Sequence, residues 1–287
     1  MNPVYMPQVA EAVGVFERLR RLSAYRELTW MLTWRDIRVR YKHSMLGAAW
    51  AIIPPVMMMG IFTFVFGTVS QLDPQTLTGH ASLPYSLFAL SGLVPWTFFA
   101  NSLQTATISL VSNRQLITKI YFPREVFPIA AVGSAFIDFA ISTVVLIVFA
   151  LIVHFRGGPW RFELGWAILC LPVVVLVQTS LTVGLGLLLS MANLFYRDVG
   201  FLFRSFIQLW MFVTCVVYQL EPAAAWKRAV IQLNPMTPII RAYRDCLLMN
   251  RNPFDWNFIQ ASLVSVGVLA LGWLWFSRRE FDFAERA

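Results

Sequence analysis

EVFPIAAVGSAFIDFAISTVVLIVFALIVHFR, running from Glu125 to Arg156, decides the fold class. Between its terminal charges only Asp138 interrupts the apolar series. A helix needs roughly 20 apolar residues to cross the hydrocarbon core of a bilayer, and this run supplies them. The same signal recurs on both sides. No Asp, Glu, Lys or Arg falls between Lys42 and Asp73, between Asp73 and Arg114, between Glu163 and Arg197, or between Asp255 and Arg278. Arg204 to Glu221 is shorter, but extends if the arginine lays its stem along the apolar surface and lifts its head to the interface. Six spans are therefore expected, at about Met45–Ser70, Leu83–Val111, Val126–His154, Leu164–Phe195, Val199–Leu220 and Trp256–Ser277.

Composition agrees. The 287 residues are 58% hydrophobic and 13% charged, with a mean hydropathy of +0.63. Soluble domains carry about 25% charge, so much of this surface must face something apolar. Residues 1–17 lack a cationic head followed by an apolar core, so no cleavable signal peptide is expected and the first span serves as the insertion signal. Cys170, Cys215 and Cys246 show no paired spacing, and a small apolar role is expected of them. His43, His80 and His154 are scattered, so no metal site is expected.

Six spans put both termini on one side, and the Lys/Arg bias says which. Arg18, Arg20, Arg21, Arg26, Arg35, Arg38, Arg40 and Lys42 precede the first span. Arg114, Lys119 and Arg124 lie in the second-to-third loop, Arg197 and Arg204 around the fourth-to-fifth, and Arg278, Arg279 and Arg286 in the tail. Ser70 to Leu83 holds neither Lys nor Arg. Both termini are thus expected in the cytoplasm. The net charge of +8 reads as topology and attraction to anionic headgroups, and no basic-aromatic module for nucleic acid is present. The outer segment Glu221 to Asp255 departs from the bias, with Lys227, Arg228, Arg241, Arg244 and Arg251. Within it NPMTPIIRAYRDCLL, Asn234 to Leu248, places Ile239, Ile240, Tyr243, Leu247 and Leu248 at helical spacing after two prolines. A short amphipathic helix lying at, or dipping into, the outer face is expected.

YRELTWMLTWRDIRVRYK, Tyr25 to Lys42, is rich in aromatics and arginine. At 100° per residue, Leu28, Met31, Leu32 and Val39 share one side, and Trp30, Trp34, Ile37 and Tyr41 the opposite one. Polar strips lie between, one with Thr29, Thr33, Asp36 and Arg40. A helix lying on a membrane has one apolar face. Two faces predict a helix wedged between lipid and protein, with the Trp/Tyr face at headgroup level. Three units follow: residues 1–43 with the interfacial helix, 44–277 as the membrane domain, and 278–287 as a cytoplasmic tail.

LTWRDIRVRYKHSMLGAAWAIIPP resembles the start of the permease subunits of polysaccharide ABC exporters, the type-2 ABC permeases of O-antigen, teichoic acid and related glycans. Arg35, Asp36, Arg40, Tyr41, Ser44, Leu46, Gly47, Trp50 and Pro54 fill that family's opening pattern. GLVPW (Gly92 to Trp96), NRQLITKIYFPREVFP, NLFYRDV, NPMTPII and RREFDFAE resemble its later segments, in family order. The resemblance implies an all-α membrane fold of six helices behind an interfacial helix, with a re-entrant segment between the fifth and sixth. It implies two copies around one pathway and a separate ATPase subunit, two copies of which hold the ATP and magnesium. The cargo it implies is a lipid-diphosphate-linked polysaccharide crossing the inner membrane. The chain contains no G-x-x-x-x-G-K-[ST] phosphate loop, as expected if ATP is held elsewhere.

The resemblance also suggests roles for residues. Leu116, Ile117, Ile120 and Tyr121 recur at helical spacing among Arg114, Gln115 and Lys119, which predicts a short cytoplasmic helix. In the resembling family this segment docks into the ATPase, with Tyr196, Arg197 and Asp198 as the second contact. Phe122, Pro123, Arg124 and Glu125 continue it. Pro123 is expected to end the short helix, and Glu125 suits the dipole at the start of the next. Trp30, Trp34, Arg35, Asp36, Arg38, Arg40, Tyr41 and Lys42 form the expected interfacial surface, whose cations either attract a diphosphate headgroup or simply signal topology. Trp96, Phe98, Phe99, Phe206 and Trp210 are candidates for a sugar-stacking channel wall, against ordinary packing. Mid-span Asp138 is either part of a hydrophilic wall or, more simply, bonded to a neighbouring helix. Ser180, Gly184, Gly186 and Ser190 permit close helix contact. A permease for a small drug or lipid is the alternative within transport. A membrane enzyme acting on lipid-linked sugars would need clustered acids or histidines at one face, and the acids here are scattered.

Overall fold

In a computed structural model, the structure describes residues 25–42, 47, 49–69, 77–79, 82–119, 123–157, 160–161, 165–219 and 233–279. Within them the chain is helical and forms no strand. Helix α1 is Arg26–Tyr41 and α2 is Ala49–Thr63, prolonged by a wider turn, Phe64–Val69. Helix α3 is Tyr85–Ser112, α4 is Arg114–Lys119 and α5 is Val126–Phe155. A tight turn of helix, Trp166–Cys170, leads into α6, Leu171–Phe195. Helix α7 is Asp198–Val213, α8 is Met236–Arg244 with a wide turn Asp245–Met249, and α9 is Trp256–Arg279.

Among the described residues, five helices are long and apolar enough to cross a membrane: Ala49–Gly67, Tyr85–Ser112, Val126–Phe155, Trp166–Phe195 and Trp256–Arg278. Each falls on an expected span. Helix α7 covers the remaining one but stops at Val213, ending in a turn where Cys215 takes a left-handed backbone (φ 54°). At 16 residues it is about 24 Å long, short of the usual core thickness.

Helix α3 is the axis, packed by α2, α5, α6, α7 and α8. Its Leu87, Phe88, Leu93, Phe99 and Leu103 are sealed from solvent. Small residues set the closest approaches. Gly184 of α6 meets the α9 backbone, where an added Cβ would lie 2.6 Å from Leu269 N. Gly186 faces Ala106 of α3, with the corresponding Cβ at 3.2 Å. The small-residue spacing in α6 therefore serves two neighbours. Helix α2 carries Pro54 and Pro55 in its interior. Pro55 has no N–H for the Ala51 carbonyl, and that carbonyl accepts instead from the Ser142 hydroxyl of α5 at 2.9 Å.

Helix α8 is not a surface helix. Met236, Ile239, Ile240, Ala242, Tyr243 and Cys246 are all buried, among α3, α6 and α9. Its wide turn ends on Asn250 (φ 47°), whose N–H bonds the Asp245 carbonyl. Trp160 Nε1 donates to the Leu248 carbonyl at 3.1 Å, tying this segment to the chain before α6.

The interior is divided. One apolar core runs through the middle of the bundle around α3 and α8. A second joins Leu32 of α1, Leu110 of α3, Ile117 of α4, Val126, Phe127 and Ala130 of α5, Leu187 and Met191 of α6, and Trp273 and Phe276 of α9. Apart from Leu32, midway along α1, these residues come from the C-terminal parts of α3, α6 and α9 and the N-terminal turns of α5, gathered around α4.

Candidate functional site

Helix α1 lies along the first half of α5, bonded by a row of polar contacts. The Thr33 hydroxyl reaches the Ala130 carbonyl at 3.4 Å, and Gly133 makes room for it, since a Cβ there would come 3.1 Å from Thr33 Oγ1. Arg35 holds Asp36 and the Asn113 side chain, both at 2.8 Å. Arg40 pairs with Asp138 and reaches Ser134 at 3.4 Å. The Tyr41 hydroxyl donates to the other carboxylate oxygen of Asp138. Burial first, then the hydrogen bond and charge of Asp138, pushes the Tyr41 phenol up to about 12, so it stays a proton donor at physiological pH.

These contacts set which side of α1 meets the protein, which the wheel left open. Its buried stripe is Leu32, Thr33 and Ile37, centred on the polar strip of Thr29, Thr33, Asp36 and Arg40. Each apolar face is split: Leu32 and Ile37 are buried, while Trp30, Met31, Trp34 and Val39 are exposed. The reason is chemical. A half-buried acid within an apolar span of α5 needs a cation, and the strip carrying Arg40 is turned toward α5, with Arg40 itself at the exposed edge of the contact. Outward, Trp30 stacks on Trp34 at 6.3 Å and the Arg38 guanidinium lies 5.6 Å from the Trp34 ring. Of the cations suggested for headgroups, Arg35 and Arg40 are engaged within the protein, whereas Arg38 and Lys42 face out.

At the same end, α4 forms where the periodicity predicts it. Ile117 is buried in the second core and Leu116 packs against it, while Arg114 and Gln115 are exposed. The Lys119 side chain and Ile120, Tyr121 and Phe122 lie outside the described residues, as do His43 and His80. Pro123 and Arg124 form the turn into α5, with the Pro123 and Arg124 carbonyls accepting from Val126 and Phe127 N–H groups at 3.4 and 3.2 Å. Glu125 precedes the helix and is buried. Pro128 sits in the first turn of α5, where the missing N–H costs nothing. Tyr196, Arg197 and Asp198 form an exposed corner between α6 and α7. Asn193 Oδ1 accepts from Gly200 N–H at 2.9 Å and holds that corner.

The aromatic candidates separate within one copy. Trp96, Phe98 and Phe99 are buried. Phe99 meets Trp210 edge-on at 5.3 Å, and Phe206 lies 5.4 Å from Trp210. Phe206 on α7 is the exposed member.

One buried charge had no sequence signal. Arg244 of α8 lies with its guanidinium 3.6 Å from the Phe88 ring and donates to the Val216 carbonyl past the end of α7. Gly92 opens the space: a Cβ there would stand 2.4 Å from Val216 O and 2.6 Å from Arg244 Nη2. The acceptors are backbone carbonyls, which no residue pattern announces.

Comparison with known proteins places these features in a family. The chain is 29% identical over 270 residues to an O-antigen export system permease protein, RfbA, of Myxococcus xanthus, covering 93% of this chain and 98% of that one. It is 29% identical over 261 residues to the RfbA of Klebsiella pneumoniae, at 90% and 94% coverage. The polysialic acid transport protein KpsM of Escherichia coli is 21% identical over 224 residues, at 75% and 78% coverage. The family model for ABC-2 type transporters matches residues 27–248, from the start of α1 to the turn after α8. With most of its length inside that match, the chain belongs to the membrane subunits of ABC-2 type transporters.

Proposed function

We propose that this permease exports a lipid-diphosphate-linked polysaccharide of the O-antigen type across the inner membrane, with both termini in the cytoplasm. The observation that carries the reading is the cytoplasmic end. Helix α4 is buried on its Ile117 side and exposed at Arg114 and Gln115, and the Tyr196–Asp198 corner projects from that same end. Two exposed elements on one firmly packed core make a docking surface for a separate ATPase, which holds ATP and magnesium. Similarity to RfbA and KpsM along most of the chain favours a surface polysaccharide as cargo.

Helix α7 is the short fifth span and α8 the re-entrant segment between the fifth and sixth. A second copy covers α2 and α7. Only 6% of the α2 span is buried, and Phe201, Leu202, Phe206 and Leu209 of α7 are exposed, which supports a pathway bounded by these helices from two copies. Deleting the chain in its host is expected to strip the polysaccharide from the cell surface and trap its lipid-linked form in the cytoplasm, with restoration by the intact chain. Normal surface polysaccharide in the deletion strain defeats the reading.

A further inference from the structure

We infer that Asp138 is a positioning residue for transport, the pin by which α1 and the first half of α5 form one rigid arm beside the docking helix. The inference rests on the transport reading above and adds a role within it.

Asp138 stands about 18 Å along α5 from Val126, at 1.5 Å per residue. At that depth a lone carboxylate is costly and needs a partner inside the protein. It has two, each on its own oxygen: Arg40 on Oδ2 and Tyr41 on Oδ1. With both oxygens taken by adjacent residues of one helix, the carboxylate fixes the rotation of α1 as well as its position. A side chain so held is poorly placed to shuttle protons and well placed to transmit force.

The other end of the arm is also tied. Arg35 bonds Asn113, the residue immediately before α4. Leu32 of α1 shares the second core with Ile117 of α4. Helix α1 thus grips the chain on both sides of the docking segment, at Asn113 before it and at Asp138 beyond it. A displacement of α4 has two routes to the middle of the membrane. One is the turn at Pro123 into α5. The other is α1, through Arg40 and Tyr41.

The test uses the complete transporter in lipid nanodiscs and the complemented deletion strain. In the unaltered protein, backbone hydrogen exchange across residues 35–41 is expected to be slow, with and without ATP. Asp138→Ala is expected to speed exchange there at least tenfold and to lower surface polysaccharide at least tenfold at matched membrane levels. Asp138→Asn keeps an acceptor for Tyr41 but loses the ion pair, and an intermediate loss is expected. The exchange Arg40→Asp with Asp138→Arg should return both readouts to within about threefold of the unaltered protein, which a merely space-filling role would not produce. Slow exchange and export within twofold of normal in both Asp138 variants overturns the pin. Fast exchange in Asp138→Ala with full export leaves a structural tie only and overturns the role in transport. If the unaltered chain fails to restore polysaccharide while the exchange results hold, the transport reading falls and the arm stands.

Discussion

At the scale of single residues, several polar groups inside this bundle meet one specific partner, and two of these matches make predictions. Ser142 satisfies the Ala51 carbonyl that Pro55 leaves open. Ser142→Ala is expected to cost roughly 1–2 kcal/mol, the price of a buried unpartnered acceptor, seen as earlier thermal unfolding of the solubilised protein. An unchanged midpoint would mean that Ala51 finds another donor. Gly92→Ala places a methyl against Val216 O and Arg244 Nη2. Overpacking of that kind costs about 1–3 kcal/mol, and fluorescence-detected size exclusion after heating should register it. These matches were unevenly legible in the sequence. Asp138 announced itself as a charge inside an apolar run. Its partner did not, because Arg40 lies 98 residues away in the chain and looked like any cation flanking a first span. Arg244 was invisible as a buried cation, since its acceptors are carbonyl oxygens.

At the scale of elements, helix α4 shows how a six-residue helix divides its work. Ile117 faces the core and Arg114 faces away, so substitutions at the two should part company. Ile117→Asp buries an unpaired carboxylate and is expected to lower the amount of folded protein in the membrane, measured by its yield after extraction. Arg114→Glu is expected to leave that yield intact and to weaken co-purification of the ATPase at least tenfold. Equal loss of yield in both would erase the distinction. Spans α2, α3, α5, α6 and α9 were readable because apolar length alone decides a membrane helix. Helix α1 was readable as a helix but not in its orientation. Its wheel shows two apolar faces, and only the position of Asp138 on another helix tells which strip turns inward. The burial of α8 was likewise hidden, since Ile239, Ile240 and Tyr243 suit a surface helix as well as an enclosed one.

At the scale of the whole molecule, α2 and α7 are the helices left most exposed by the rest of the chain, and under the proposed dimer a second copy is expected to cover them. In a protein whose Cys170, Cys215 and Cys246 are replaced by alanine, Met57→Cys and Leu209→Cys should form dimers on treatment with a bis-maleimide in native membranes. A ladder confined to monomer at both positions, alone and combined, would leave that flank to lipid. The bond between α1 and α5 bears also on how the chain is made. Helix α1 leaves the ribosome before α2 and α3, while the carboxylate that fixes it emerges 98 residues later. At synthesis rates of about 5–20 residues per second, Arg40 is made roughly 5–20 seconds before its partner. When α5 is made, the counter-ion that Asp138 will meet already exists in the chain. Helix α1 thus supplies the acid's partner ahead of the acid, whereas the second core can close only after the last of its helices, α9, has been made.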